Sequence, residues 1–140
     1  SMRARFMEWY TAAKEDDPAP RGLVKMGHWH TLRGIYRADV PTFGNFLTEF
    51  AAANGMDALM VATYVVNGPE DWRNSGGVLA RVSDPNGVSV IDLRPLRPYA
   101  HGDAIPGLGA GWRDRIFQAD LLLVFGGGRT GSYSVAQGNR

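Results

Sequence analysis

The residues whose types and spacing come nearest to a reactive site are His28-Trp29-His30 and His101-Gly102-Asp103. In a strand, residues two apart point the same way, as two ligands of one metal ion must. His28 and His30 are then a ligand pair, and His101 with Asp103 completes a four-ligand metal set. Without a metal, His28 or His30 is a candidate catalytic general base, because the unperturbed imidazole titrates near neutrality. The plainer alternative is a half-buried pair hydrogen-bonded on a sheet face.

The His-x-His spacing resembles that of cupin barrels. The carboxylate that such proteins carry a few residues later is absent, since Thr31–Arg37 holds no Asp or Glu. The many strands of a barrel are not evident either.

A second candidate is an anion site. Gly126, Gly127 and Gly128 follow an apolar strand, and consecutive backbone N–H groups can cradle an anion, with Arg129 and Thr130 as further donors. The stretch LLVFGGGRTGSYSVA resembles the glycine motif of the cytokinin-activating phosphoribohydrolases, in which a strand runs into a phosphate-holding turn. The likeness covers 15 of 140 residues. In that family the motif lies early and a long helix follows, whereas here it lies near the end. No Gly-Lys-Ser/Thr follows, so the Walker pattern is not met. The alternative is a flexible glycine-rich exit.

The basic residues are mainly arginine, with Lys only at 14 and 25. Arginine forks bind phosphate and carboxylate through paired hydrogen bonds. Arg97 and Tyr99 join the candidate ligand-binding set. Arg33, Arg37, Arg73, Arg94, Arg97, Arg113, Arg115 and Arg129, with Trp72, Tyr99 and Trp112 nearby in sequence, form a set suited to an anionic aromatic ligand or a stacked single-stranded base. Solvated surface arginines paired with Asp71, Asp92, Asp103 and Asp114 are the alternative. Gly107-Leu108-Gly109-Ala110-Gly111 opens a helix whose first N–H groups can hold an anion. Arg94-Pro95-Leu96-Arg97-Pro98 fits a short proline ligand motif. A nucleophile elbow and a dinucleotide fingerprint are not found.

These residues need elements to carry them. The spacing of Phe6, Trp9, Tyr10 and Ala13 predicts a helix over Met2–Glu15, ended by Pro18 and Pro20. Gly22–Arg37 alternates as a strand, bent at Gly27 or Gly34. Thr42 caps a helix to Asn54 with Phe43, Phe46, Leu47 and Phe50 as its apolar stripe. Asp57–Val66, the longest apolar run, reads as a buried central strand. Gly77–Ser83 and Val88–Leu93 read as a hairpin about Asp84-Pro85-Asn86-Gly87. Arg94–Gly111 reads as a mobile, irregular loop rimming any ligand site. Trp112–Ala119 is a short helix and Asp120–Phe125 a second buried strand. Residues 131–140 read as a loose tail.

The order α-β-α-β-β-β-α-β gives an α+β domain over 1–140, with a mostly antiparallel sheet and helices on one face. The two helix-to-strand steps permit one parallel pair. The expected core includes Phe46, Phe50, Leu59, Val61, Leu122 and Val124.

The totals set bounds. The 140 residues are 44% hydrophobic and 21% charged, with a net charge of +1. This is a globular balance, without the basic excess of a duplex nucleic-acid binder. There is no Cys, which excludes disulfides and thiolate chemistry. No segment has the length of a membrane span. Ser1-Met2 reads as a tag remnant, and a soluble cytoplasmic protein is the default expectation.

Three functions are carried forward. The first is binding of, or catalysis on, a small anionic ligand of nucleotide or phosphate type. The second is a protein-interaction module without catalysis, such as a toxin–antidote partner, a subunit or a phage-type assembly protein. The third is a metal-dependent enzyme using His28 and His30. A homo-oligomer stays open, and the sequence leaves any cofactor unknown.

Overall fold

Two capped helices carry the N-terminal half. The computed structural model describes residues 1–36, 40–67, 69–75 and 77–126. Helix α1 (Met2–Asp16) starts at Ser1, whose hydroxyl accepts from the Ala4 N–H. Helix α3 (Phe43–Ala53) starts at Thr42, whose hydroxyl accepts from the Asn45 N–H at 3.1 Å. Between them lies the short helix α2 (His28–Thr31). The Phe stripe of α3 faces α1. Phe6 meets Phe43, Phe46 and Phe50 edge to face, with centroids 5.3–6.0 Å apart. Such pairs add about 0.5–1.5 kcal/mol each beyond the area they bury. Gly44 lets α3 approach α2, because a Cβ there would lie 2.1 Å from the Thr31 carbonyl oxygen.

The main sheet has three strands, β3 (Val61–Val65), β4 (Val88–Asp92) and β5 (Leu121–Phe125), in the order β3-β5-β4. β5 runs parallel to β3 and antiparallel to β4. A separate two-residue hairpin pairs β1 (Ile35–Tyr36) with β2 (Val40–Pro41). The chain is therefore α+β, with a mixed rather than mostly antiparallel main sheet. Ala62, Ile91, Leu122 and Val124 point inward. They pack on Leu79 of α5 (Val78–Val82) and Ile116 of α6 (Ala110–Gln118), with Leu93 and Leu108.

Several expectations give way. β3 is an edge strand rather than the central one, and Leu59, just before it, and Val61, on its side away from the core, are 54% and 46% exposed. Phe46 and Phe50 are half-buried against α1, in an aromatic cluster apart from the main core. Gly22–Arg37 is not one strand: it holds α2, and Gly34 turns the chain with φ of +112° ahead of β1. Val78–Val82 is helical. Ser75 accepts from the Leu79 N–H, and the Ser83 hydroxyl donates to the Leu79 carbonyl. Five residues are too few for periodicity to separate strand from helix, and burial of Leu79 decides. The Asp84–Gly87 turn forms, with the Asn86 N–H on the Asp84 carboxylate at 2.8 Å, but it joins a helix to a strand. The 94–111 stretch begins as a 3-10 helix (Arg94–Tyr99), and its Ala100 and Leu108 are buried.

Leu122→Ala is expected to destabilise the fold by about 2–5 kcal/mol, as for other core truncations. Leu59→Ala is expected to stay within about 0.5 kcal/mol, as at surface positions. Urea titration of both variants checks the pair, and equal losses would contradict the placement of Leu59 outside the core.

Candidate functional site

The histidines are not arranged as a strand would arrange them. In α2, residues two apart do not face each other. His30 is exposed, and the side chain of His28 lies outside the described residues. His101 is exposed too, its ring 4.9 Å from that of Phe117. Asp103 is also exposed and accepts from Arg113 at 3.4 Å. Among the described residues, no three His, Asp or Glu side chains group as a metal set.

Gly126 ends β5 and seats the Asp84–Gly87 turn. Its N–H donates to the Gly87 carbonyl at 2.8 Å, and an added Cβ would lie 2.3 Å from the Asp84 carbonyl oxygen. Gly127, Gly128, Arg129 and Thr130 lie outside the described residues. Tyr99 is exposed.

Arg97 turns inward to a carboxylate that the sequence reading did not single out. Asp120 is 4% exposed. Arg33 grips it with a two-point fork, at 2.8 Å to Oδ1 and 2.6 Å to Oδ2. Arg97 donates to Oδ1 at 2.9 Å, and the Met60 N–H donates to Oδ2 at 2.8 Å. Arg97 also holds the Ile116 and Ala119 carbonyls. Burial pushes the Asp120 pKa up. The bonds from Arg33, the Met60 N–H and Arg97 outweigh that and hold it far below the carboxylate range. The signal in the sequence was an acid opening an apolar strand, since a buried charge needs partners. Both oxygens are engaged, so this is a clamp rather than a reactive group.

A cavity of about 320 Å³ lies where β3, α4 (Pro69–Asn74) and the start of α6 meet. Tyr64, Asp71, Asn74, Gly109, Trp112 and Arg115 line it, with Gly111. The Tyr64 hydroxyl donates to Asp71 Oδ1 at 2.6 Å, and the Asn67 N–H donates to Oδ2 at 2.8 Å. The Tyr64 and Trp112 rings meet edge to face at 5.0 Å. Burial, then the bond to Asp71, pushes the Tyr64 phenol up to about 12, so it stays protonated at neutral pH. Burial also lowers the Arg115 pKa, with the Tyr64 charge acting the other way. Gly109 caps α6, its N–H held by the Asn74 carbonyl at 3.0 Å. The next N–H groups, of Ala110 and Gly111, have no acceptor within the helix and sit at its positive end. A Cβ at Gly111 would meet nothing within 4 Å.

Three features read from the sequence thus converge here: the Gly109–Gly111 helix start, Trp112 and Arg115. Tyr64 and Asp71 were missed as site residues, because α4 must fold back on β3 before they meet. A second cavity, of about 380 Å³, runs between α1 and residues 22–26 and is lined mainly by apolar side chains, among them Phe6, Trp9 and Leu23. Comparison with protein-family models, curated proteins and solved structures finds no significant match to this chain.

Asp120→Ala is expected to cost about 3–5 kcal/mol, because it leaves two arginines without their buried partner. The clamp also fixes a pH dependence. The unfolded carboxylate takes a proton near pH 4, whereas the folded one resists until well below that. The contribution of Asp120 is therefore full above about pH 5 and drains as pH falls below about 4. Urea midpoints at pH 7, 4 and 3 check this. Asp120→Asn is expected to lose less between pH 4 and 3 than the parent chain does.

Proposed function

We propose that the chain binds a small anionic ligand in the Tyr64–Arg115 cavity, through a phosphate or carboxylate group. Arg115 carries the reading. It is half-buried and lines the cavity together with the start of α6, and its fork of donors is shaped for a phosphate or carboxylate. The N–H groups of Ala110 and Gly111 add donors on the same side. Tyr64 and Trp112 offer an apolar wall for a planar group. A volume of about 320 Å³ sits at the low end of small-molecule sites, roughly 300–1,000 Å³. These features suit a compact, nucleotide-like or smaller molecule. This moves the anion from Gly126–Thr130 to the start of α6. Arg97 is taken up by the Asp120 clamp and has no role in this reading.

Calorimetric titration with inorganic phosphate, adenosine monophosphate and citrate tests the proposal. At least one is expected to bind, and Arg115→Ala is expected to weaken that binding by about 1.5–3 kcal/mol, the range for a hydrogen bond to a charged group. Arg129→Ala is expected to leave it unchanged. Absence of binding by all three probes, or equal binding by the Arg115 variant, overturns the reading.

A further inference from the structure

The cavity between α1 and residues 22–26 shares no lining residue with the Tyr64–Arg115 cavity. Met2, Arg5, Phe6 and Trp9 recur at helical spacing, so one face of α1 forms its first wall. The chain at 22–26 forms the second. Gly22 crosses the Trp9 indole so closely that an added Cβ would lie 2.5 Å from the ring. Phe43, which is buried at the start of α3, lines it as well. At about 380 Å³ the space is that of a small-molecule site.

Its side chains are apolar except for Arg5 and Lys25, and no carboxylate lines it. Among the described residues, neither cation has a side-chain hydrogen bond or ion pair. The other basic residues of α1 are engaged. Arg3 lies over the Phe46 ring and donates to the Pro41 carbonyl, and Lys14 lies over the Tyr10 ring. Arg5 is the one that joins the cavity without a partner among the described residues.

We propose that this cavity binds a single-chain amphiphile with an anionic head, of the fatty-acid type. The chain lies against Phe6, Trp9 and Phe43, and the carboxylate meets Arg5 and Lys25. Met26, unbranched and polarisable, adapts to a flexible chain. The charges choose among occupants. A second copy of the chain would bring the same two cations to the contact. Residues 127–140 carry Arg129 and Arg140 and no acidic side chain, so they too bring the wrong sign. An uncharged apolar segment gains nothing from either cation. Exposed charge pairs are weak, so the head sets the sign and direction of binding while buried methylenes supply the affinity.

Titration of the full chain with octanoate, decanoate and dodecanoate, each below its micelle concentration, tests the proposal by calorimetry and tryptophan fluorescence. Saturable binding is expected, tightening about three- to fourfold per added methylene until the cavity is filled. Dodecyltrimethylammonium has the same chain and a cationic head, and is expected to bind at least about tenfold more weakly. The double variant Arg5→Gln, Lys25→Gln is expected to lose that preference. Both positions are exposed, and circular dichroism confirms that the variant stays folded. Arg115→Ala is expected to leave dodecanoate binding unchanged, which separates this site from the anion cavity. Absence of saturable binding overturns the proposal, as does equal affinity for the two head groups or a double variant that binds dodecanoate as the parent does. Binding to phosphatidylglycerol vesicles without binding of the free chains also overturns it.

Discussion

A single buried carboxylate holds the register of the molecule. Asp120 accepts from Arg33, Arg97 and the Met60 N–H, while its own backbone bonds the Met60 carbonyl and the Leu93 N–H, each at 2.8 Å. The entry to β3, the exit from β4 and the entry to β5 are therefore tied at one residue. Burying that charge is unfavourable by itself, and the surrounding donors are what make it tolerable. An apolar side chain there would not specify which strand ends meet. The clamp also reaches the cavity from both sides. Tyr64 stands on β3 a few residues beyond Met60, and Arg97 fixes the C-terminal end of the helix that carries Trp112 and Arg115.

The cavity itself is a contrast of two protonation states. Its phenol is held neutral, and the guanidinium of Arg115 stands half-buried beside it. Asp71 is already bonded by Tyr64 and by the Asn67 backbone, which fixes the orientation of its oxygens before anything enters. Such prior ordering reduces the entropy lost on binding.

The parts legible in the sequence were those with local causes. Ser1 and Thr42 cap their helices through neighbours three residues on, and the aromatic spacing of α1 and α3 is a helix-period signal. Apolar composition marked Asp120–Phe125 as a buried strand. Composition could not say that Asp57–Val66 would lie at the sheet edge, because edge or centre depends on which strands pair. Alternation alone made Gly77–Ser83 a strand, and only burial of Leu79 in the core makes Val78–Val82 a helix. In the site, the residue types of Gly109, Gly111, Trp112 and Arg115 pointed to an anion. Their union with Tyr64 and Asp71 required tertiary structure, and the partners of Asp120 lie as far as 87 residues away.

The parallel pairing of β3 with β5 has a kinetic consequence. Val61 meets Leu121 across 60 positions of chain. Closing a loop of that length exacts its entropy before the strand pair returns any contact energy. The α1–α3 aromatic cluster, by contrast, closes over a shorter loop. The docking of β3 onto β5 is then the late event of folding. Until it occurs, β5 shows an unpaired apolar edge to every other nascent chain in the vicinity.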